Sequence, residues 1–436
     1  MSTKSHKAPR GMRDVLPEEM PAWQRLERTA HRLARLFGYE EVRPPLMEET
    51  DLFTRSVGEV TDIVEKEMFT LQKGKTSLTL RPEGTAGVVR AYNQAGYAKR
   101  DPLQRLYYCG PMFRYERPQR GRERMFTQFG VECLGSADPR LDAEAIHLAC
   151  RFFEELGLTG LEVRLNSMGD GADRDRYRDA VRDFLAPRRE QLCELCQSRF
   201  ERNVLRVLDC KNPACNELTS GAPVVLDFLG EDNAAHFAAV QDGLRALGRE
   251  PRVDPGIVRG LDYYTRTIFE IHAPAIGARS AICGGGRYDH LVRDLGGPDV
   301  PAVGFAIGFS GTLLMLEELG LMADLTPAAP DVYVACMPPG GDVDDAAMRR
   351  EVLKVADELR AAGLSAVYDV DGRSFKGQLK AIGKGGYRLA AIVGEDELAR
   401  DVVQLKDLAA RAQTEVPRAE LADRARALLD DAAASA

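Results

Sequence analysis

Hydrophobic and polar positions alternate most clearly over Phe126–Leu134, where Thr127, Phe129, Val131 and Cys133 fall on one face and Phe126, Gln128, Gly130 and Glu132 on the other. A first strand, Leu106–Glu116, precedes it across an arginine-rich loop. Around this pair the pattern predicts a helix over Pro21–Phe37, with Trp23, Leu26, Ala30, Leu33 and Leu36 at helical spacing and Gly38 as its stop. A short strand, Tyr39–Val42, then runs into Pro44 and Pro45. Ser77–Arg81 alternates as a strand and turns into a helix, Ala86–Gln94, with Thr85 placed to cap it. An amphipathic helix over Leu141–Leu156 and a strand over Leu161–Leu165 follow.

Beyond Asn166 the texture changes: Asp170–Asp183 is dense with charge, and helical patterning runs on to about Phe200. Strand character returns over Val253–Ile271, read as a hairpin around Gly260 or Asp262. Ser280–Val292 places three glycines directly after a strand, and Val303–Gly308 leads into a helix, Thr312–Leu319. After a linker, LTPAAP, strands and helices alternate: DVYVACM, Ala346–Ala362, SAVYDV, Lys376–Ile382, RLAAIVG. That alternation predicts a small α/β domain with a mostly parallel sheet.

Length changes this picture little: 436 residues suit two or three domains. No apolar run approaches the ~20 residues of a membrane span, and Met1–Pro9 is basic but has no apolar core behind it, so neither a span nor a signal peptide is expected. Nine cysteines are too few for a disulfide scaffold, which points to a reducing cytoplasm. The net charge of −8 speaks mildly against a nucleic-acid partner. Locally the balance reverses, because Lys99–Arg124 carries eight Lys/Arg against three Asp/Glu, net +5.

Several residues could carry chemistry. A sheet face bearing Arg114, Glu116, Gln128 and Glu132 around the bare backbone of Gly130 suits a small zwitterion and a phosphate; a solvated sheet face would also be polar. Cys193-x2-Cys196 with Cys210 and Cys215 fits either a tetrahedral, purely structural zinc site or four reduced thiols. The glycines at 284–286 let backbone approach a ligand, but no βαβ unit surrounds them, so a dinucleotide fingerprint is not expected. Nothing marks a base beside Cys283, which is read as buried. Arg373, Lys376, Lys380 and Lys384 gather positive charge on and around one helix, which by itself reads as a solvated face.

FRYE at 113–116, followed by a loop ending in an arginine and Phe126, resembles motif 2 of the class II aminoacyl-tRNA synthetases, and ERPQRGRERMFTQFGVE resembles the histidine–tRNA ligases among them. TLRPEGT, RGLDYY and GGGRYD match further signatures of that family, and the likeness runs from about Pro9 to Leu429. It implies an α+β catalytic domain on an antiparallel sheet (residues 1–167 and 253–325), an inserted helical module (168–252) packing over the acceptor arm of tRNA, and an anticodon-binding α/β domain (331–436). The helix, strand and prolines near the N-terminus resemble motif 1, which implies a homodimer. The activity implied is ligation of L-histidine to tRNA(His) through histidyl-adenylate, with ATP as substrate and Mg2+ on its phosphates.

Carried over residue by residue, the likeness makes Arg114 and Arg259 catalytic, with Arg259 at the α-phosphate. Glu83, Thr85, Arg114, Gln128, Glu132, Arg259, Tyr263, Tyr264 and Tyr288 would hold histidine, with Glu83 and Thr85 at its amino group and Glu132 and Tyr264 at its ring nitrogens. Arg114, Glu116, Arg122, Phe126 and Arg259 would hold ATP, with Phe126 stacked on adenine; Gln119, Arg373 and Lys376 would meet tRNA. The chain departs from the family at motif 3. There a strand ends in Gly-Leu-Glu-Arg, and the arginine packs over adenine and reaches the γ-phosphate. Here the residues are Gly308-Phe309-Ser310-Gly311, with no Lys or Arg from Asp294 to Met348. Two rival readings are a regulatory subunit of ATP phosphoribosyltransferase and an amino-acid–carrier-protein ligase; neither needs the C-terminal α/β domain.

Overall fold

The computed structural model describes residues 6–58, 61, 63–257, 261–279, 281–322, 325–338 and 344–434. The chain divides into two compact units, Met1–Thr326 and Pro327–Ala436. Among the described residues no helix is long and apolar enough to cross a membrane.

An eight-stranded sheet organises the first unit. Its spatial order is Glu40–Glu41, Gln104–Phe113, Met125–Leu134, Ala302–Gly308, Ala281–Arg287, Thr265–His272, Glu162–Ser167 and Arg252–Val253. The six inner strands pair antiparallel, and only the two-residue strands at either edge pair parallel. One face is apolar for the reason the alternation gives. Phe129, Val131 and Cys133 point into a core with Phe269, Ile271, Phe305 and Ile307, covered by the helices Met20–Leu36, Pro139–Glu155, Glu231–Ala246 and Phe309–Glu318. Phe129 lies 5.5 Å from Phe152 and 5.8 Å from Phe305 between ring centroids, so the core is fixed by aromatic edges as well as area. The opposite face is left for the site.

Several expectations need correction. The segment 253–271 is no hairpin: Arg252–Val253 pairs with Glu162–Ser167, which also pairs with Thr265–His272, so one strand lies between the two. The glycines at 284–286 lie inside the strand Ala281–Arg287 rather than after it. Close packing asks for them there, since a Cβ on Gly285 would meet the Gly304 carbonyl oxygen at 2.3 Å and one on Gly286 the Thr267 oxygen at 2.5 Å. The helix after Arg81 starts at Thr85, and its cap is the Glu83 carboxylate, which accepts from the N–H groups of Thr85 (2.6 Å) and Ala86 (2.9 Å).

Within the segment expected as an inserted module, Tyr177, Val181, Leu185, Phe200 and Val207 build a separate small core. The helix Glu231–Ala246 instead lends Phe237, Val240 and Leu244 to the main core. The second unit has a five-stranded sheet, ordered Ala366–Tyr368, Val332–Cys336, Leu389–Val393, Val402–Asp407, Ala412–Pro417. Its first three strands are parallel, but an antiparallel hairpin, 402–417, completes it, so the sheet is mixed rather than mostly parallel.

Candidate active site

The polar sheet face carries a closed carboxylate. Glu132 is 1% exposed; its Oε1 accepts from the Thr85 hydroxyl at 2.6 Å, and its Oε2 accepts from the Tyr288 hydroxyl. Burial pushes its pKa up to about 8 even though both hydroxyls favour the charged form, and the neighbouring Glu83 adds to the rise. The Tyr263 ring lies 4.9 Å from that of Tyr264, tilted by 55°, and 5.5 Å from that of Tyr288, edge to face. Glu83, Thr85, Glu132, Tyr263, Tyr264 and Tyr288 therefore gather on one side of the sheet, from four separate stretches of chain. Glu83 is itself 4% exposed, and burial raises its pKa.

The raised carboxyl gives a prediction. Its folded pKa lies above its ordinary value of 4.5, so the fold favours the protonated form and loses stability as pH rises between about 5 and 8. The loss is at most about 1.4 kcal/mol per pH unit. Glu132→Gln should remove that slope, so the variant gains thermal stability on the parent as pH rises through this window. Melting curves of parent and variant at pH 5 and pH 8 check this; curves that stay parallel would mean that Glu132 does not titrate in this window.

One feature was not legible in sequence. Tyr108, on the neighbouring strand opposite Gly130, lays its phenol across the patch that looked bare. A Cβ on Gly130 would come within 2.4 Å of the Tyr108 ring and hydroxyl, and one on Gly84 within 2.2 Å of the ring. The glycine gap thus houses the protein's own side chain. Among the described residues the buried Tyr108 hydroxyl finds no hydrogen-bond partner, and neither does Oε1 of Gln128. Buried polar atoms rarely stay unpaired, so the two mark places where a ligand's polar groups would be met. The cross-strand register, Tyr108 to Gly130, is the signal that could have found it.

Next to this cluster lies a second, more cationic one. The strand ends at Phe113, so Arg114 starts the loop, tied by its N–H to the Arg124 carbonyl at 2.9 Å. Its Nε donates to the Pro82 carbonyl at 2.8 Å, and its guanidinium lies 5.5 Å from the Phe126 ring centroid. Arg122 pairs with the buried Glu116, whose other oxygen lies 3.9 Å from Arg114. Arg114, Glu116, Arg122, Phe126, Ser310 and Gly311 line a cavity of about 170 Å³. Ser310 donates to Glu123 at 2.6 Å, and a Cβ on Gly311 would find only the Gly121 oxygen, at 3.9 Å. Arg259 lies outside the described residues.

The arginine loop turns tightly at its tip. Gln119 and Arg122 exchange backbone hydrogen bonds of 3.1 and 2.8 Å around Gly121, which has φ +77°. Gln119, Arg120 and Arg122 are exposed there, while Arg124 is half-buried, 3.5 Å from the Tyr115 ring centroid. In the second unit Lys376 is exposed at the start of the helix Phe375–Lys384, and Arg373 pairs with Asp369 (3.4 Å) and Asp371 (2.5 Å).

The four cysteines do converge: the sulfurs of Cys193, Cys196, Cys210 and Cys215 all lie within 4.8 Å of one another. A tetrahedral zinc with Zn–S bonds of about 2.3 Å needs sulfurs about 3.8 Å apart. The Cys193 N–H points to the Cys215 sulfur at 3.3 Å, and the Asn212 N–H to the Cys210 sulfur at 3.4 Å, as thiolate ligands would want.

A family profile described as histidyl-tRNA synthetase matches residues 11–311, and one for an anticodon-binding domain matches residues 331–428. The histidine–tRNA ligase of Moorella thermoacetica is 51% identical over 416 residues, 95% of this chain and 96% of that one. That of Desulfitobacterium hafniense is 48% identical over 410 residues, 94% and 95% of the two chains. Among solved structures, apo histidyl-tRNA synthetase from S. aureus superposes with a TM-score of 0.80 at 35% identity, covering 96% of this chain and 99% of that one. With its antiparallel sheet, its polar site face and its second, mixed-sheet unit, the chain belongs to the histidyl-tRNA synthetase family.

Proposed function

We propose that the two clusters on the polar sheet face are the two halves of an adenylation site. As a member of its family the chain ligates L-histidine to tRNA(His) at the expense of ATP. In the first step a histidine carboxylate oxygen attacks the α-phosphorus, the bond to the bridging oxygen of the β-phosphate breaks, and pyrophosphate leaves. In the second, a hydroxyl of the tRNA 3′-terminal ribose attacks the acyl carbon, and AMP leaves.

The observation that carries this reading is the contiguity of the Glu132–Thr85–Tyr288 network with Arg114 and Phe126. An imidazole needs a polar partner at each ring nitrogen, because an unpaired buried one costs about 1–3 kcal/mol. Glu132 and Tyr264 serve that need among aromatic walls, with Gln128 and Tyr288 beside them. Glu83 and Thr85 face the amino group. Arg114, with Arg259 from the other side, presents a planar fork to carboxylate and α-phosphate and holds them in line. Phe126 offers a flat face to adenine. Glu116 fixes Arg122 toward the phosphates, and Glu116 and Glu123 are oxygen ligands of the type that suits the magnesium carried by ATP. That ion supplies charge neutralisation on the β- and γ-phosphates.

We assign Gln119 and the exposed arginines of its loop to the acceptor stem, with the amide reading a base edge and the cations meeting phosphate. Arg373 and Lys376 serve the anticodon arm, and the chain works as a homodimer through its motif 1-like segment. A match to an anticodon-binding domain favours this reading over the regulatory subunit, which lacks one. Charging of tRNA(His) with labelled histidine tests it; no acid-precipitable label above a no-enzyme control would sink it.

The four thiols, in our reading, hold one structural zinc, because a closed four-sulfur shell leaves no position for substrate. Protein purified without chelator should carry about one metal per chain. Cys193→Ser with Cys196→Ser should release it. Metal analysis that finds none would favour free thiols.

A further inference from the structure

We infer that the thiol-bound metal locks a positioning device: Arg206, strung between the ligands Cys196 and Cys210, holds Asp262 and thereby sets the loop that carries Tyr263 and Tyr264. The inference rests on the active-site reading above and adds a task for the inserted module, which otherwise lies outside the chemistry.

The contacts are direct. Arg206 is 7% exposed, and its Nε and a terminal nitrogen lie 3.2 and 3.1 Å from Oδ1 of Asp262. Asn203 donates to the same oxygen at 3.3 Å. A second arginine of the module, Arg174, donates to the backbone carbonyls of Tyr264 (3.0 Å) and Asp262 (3.3 Å). From the far side the turn after Val57 closes on the same residue. The Asp262 N–H donates to the Val57 carbonyl at 3.3 Å, and Gly58, at φ +98°, leaves space that a Cβ would fill at 2.5 Å from Asp262 Oδ2. Asp262 is thus the point at which the loop is held from both sides.

The metal enters through covalent connectivity. Cys193 precedes and Cys196 sits in the helix Glu194–Arg202. The chain then turns through Val204–Val207 to reach Cys210, whose N–H donates to the Val207 carbonyl at 3.2 Å. Arg199, one helical turn beyond Cys196, donates to the Arg206 carbonyl at 3.3 Å. Joining Cys196 to Cys210 through one ion closes the short loop that bears Arg206 and removes most of its freedom. Without the ion, four thiols, three of them buried, must hold that loop by packing alone, and the arginine's reach to Asp262 becomes one conformation among several. A charge pair that must be found anew in each binding event lowers apparent affinity by the fraction of time it is formed.

The test measures histidine-dependent pyrophosphate exchange with the full chain. Arg206→Gln should raise the histidine KM about tenfold or more, the scale of one lost charge-assisted bond, with metal content and ATP KM little changed, and Arg206→Lys should raise it less. Lysine should recover part of the loss, because it keeps the charge but not the fork. Stripping the metal with a chelator under reducing conditions should raise the histidine KM in the same way, and added Zn2+ should restore it. Should Arg206→Gln fail to melt cooperatively, Asp262→Ala removes the accepting oxygen from the other side and must meet the same expectation. An unchanged histidine KM in the folded variants, or in chain shown to have lost its metal, overturns the inference. A parent chain with no histidine-dependent exchange overturns instead the active-site reading on which it rests.

Discussion

Arg114→Lys is expected to slow histidine-dependent pyrophosphate exchange by roughly 10²–10³-fold, the cost of removing one preorganised donor from developing charge, while leaving the fold intact. Lysine keeps a point charge but loses the planar fork, so it cannot bond carboxylate and phosphate in parallel. It also loses the Nε–H that anchors the guanidinium to the Pro82 carbonyl at 2.8 Å, and with it the stack against Phe126 at 5.5 Å. The damage should fall mainly on kcat, because orientation in the transition state is what goes. Stability should change little, since the backbone tie from Arg114 to the Arg124 carbonyl remains. Exchange within about threefold of the parent would contradict the role given to Arg114.

Gly311→Arg should strengthen ATP binding roughly ten- to hundredfold, the scale of one charge-assisted bond of about 1.5–3 kcal/mol. The position has room for the side chain: a Cβ there meets only the Gly121 oxygen at 3.9 Å, and the cavity bearing Arg114 and Phe126 opens beside it. Glycine in the first turn of Phe309–Glu318 offers no fixed charge and costs about 1 kcal/mol of helix stability relative to a good helix former. The variant should therefore also melt higher, with histidine KM nearly unchanged. Substitute cations come from another segment: Arg122 lines the same cavity as Gly311, and Arg120 pairs with Glu317 at 3.1 Å and Glu318 at 3.7 Å on the same helix. Both of its partners are more than one-third exposed, so those pairs are weak and the arginine is available. An ATP KM that does not fall in Gly311→Arg means that such a cation already fills the gap.

These expectations show which parts of the molecule the sequence carried. Period-two alternation identified the strands of the site hairpin to within a few residues, because one face is core and the other is not. Glu132 and Tyr288 were read into one pocket from likeness, and the structure brings them into hydrogen-bond contact across the sheet. What was hidden depends on contacts distant in sequence. Tyr108 filling the space over Gly84 and Gly130 needs the cross-strand register. The cap by Glu83 and the clamp by Arg206 use charged residues in stretches where charge usually means solvent. The hairpin 402–417 was missed because most of its second strand is exposed and polar. Arg259 falls outside the described residues, so its place rests on the motif alone.

The most direct test of the central claim is ATP–pyrophosphate exchange assayed separately with each standard amino acid. The account predicts exchange with histidine and none above background with the others, since the proposed pocket pairs an imidazole with Glu132 and a tyrosine hydroxyl. Exchange with another amino acid, or none with histidine at saturating ATP, would contradict it.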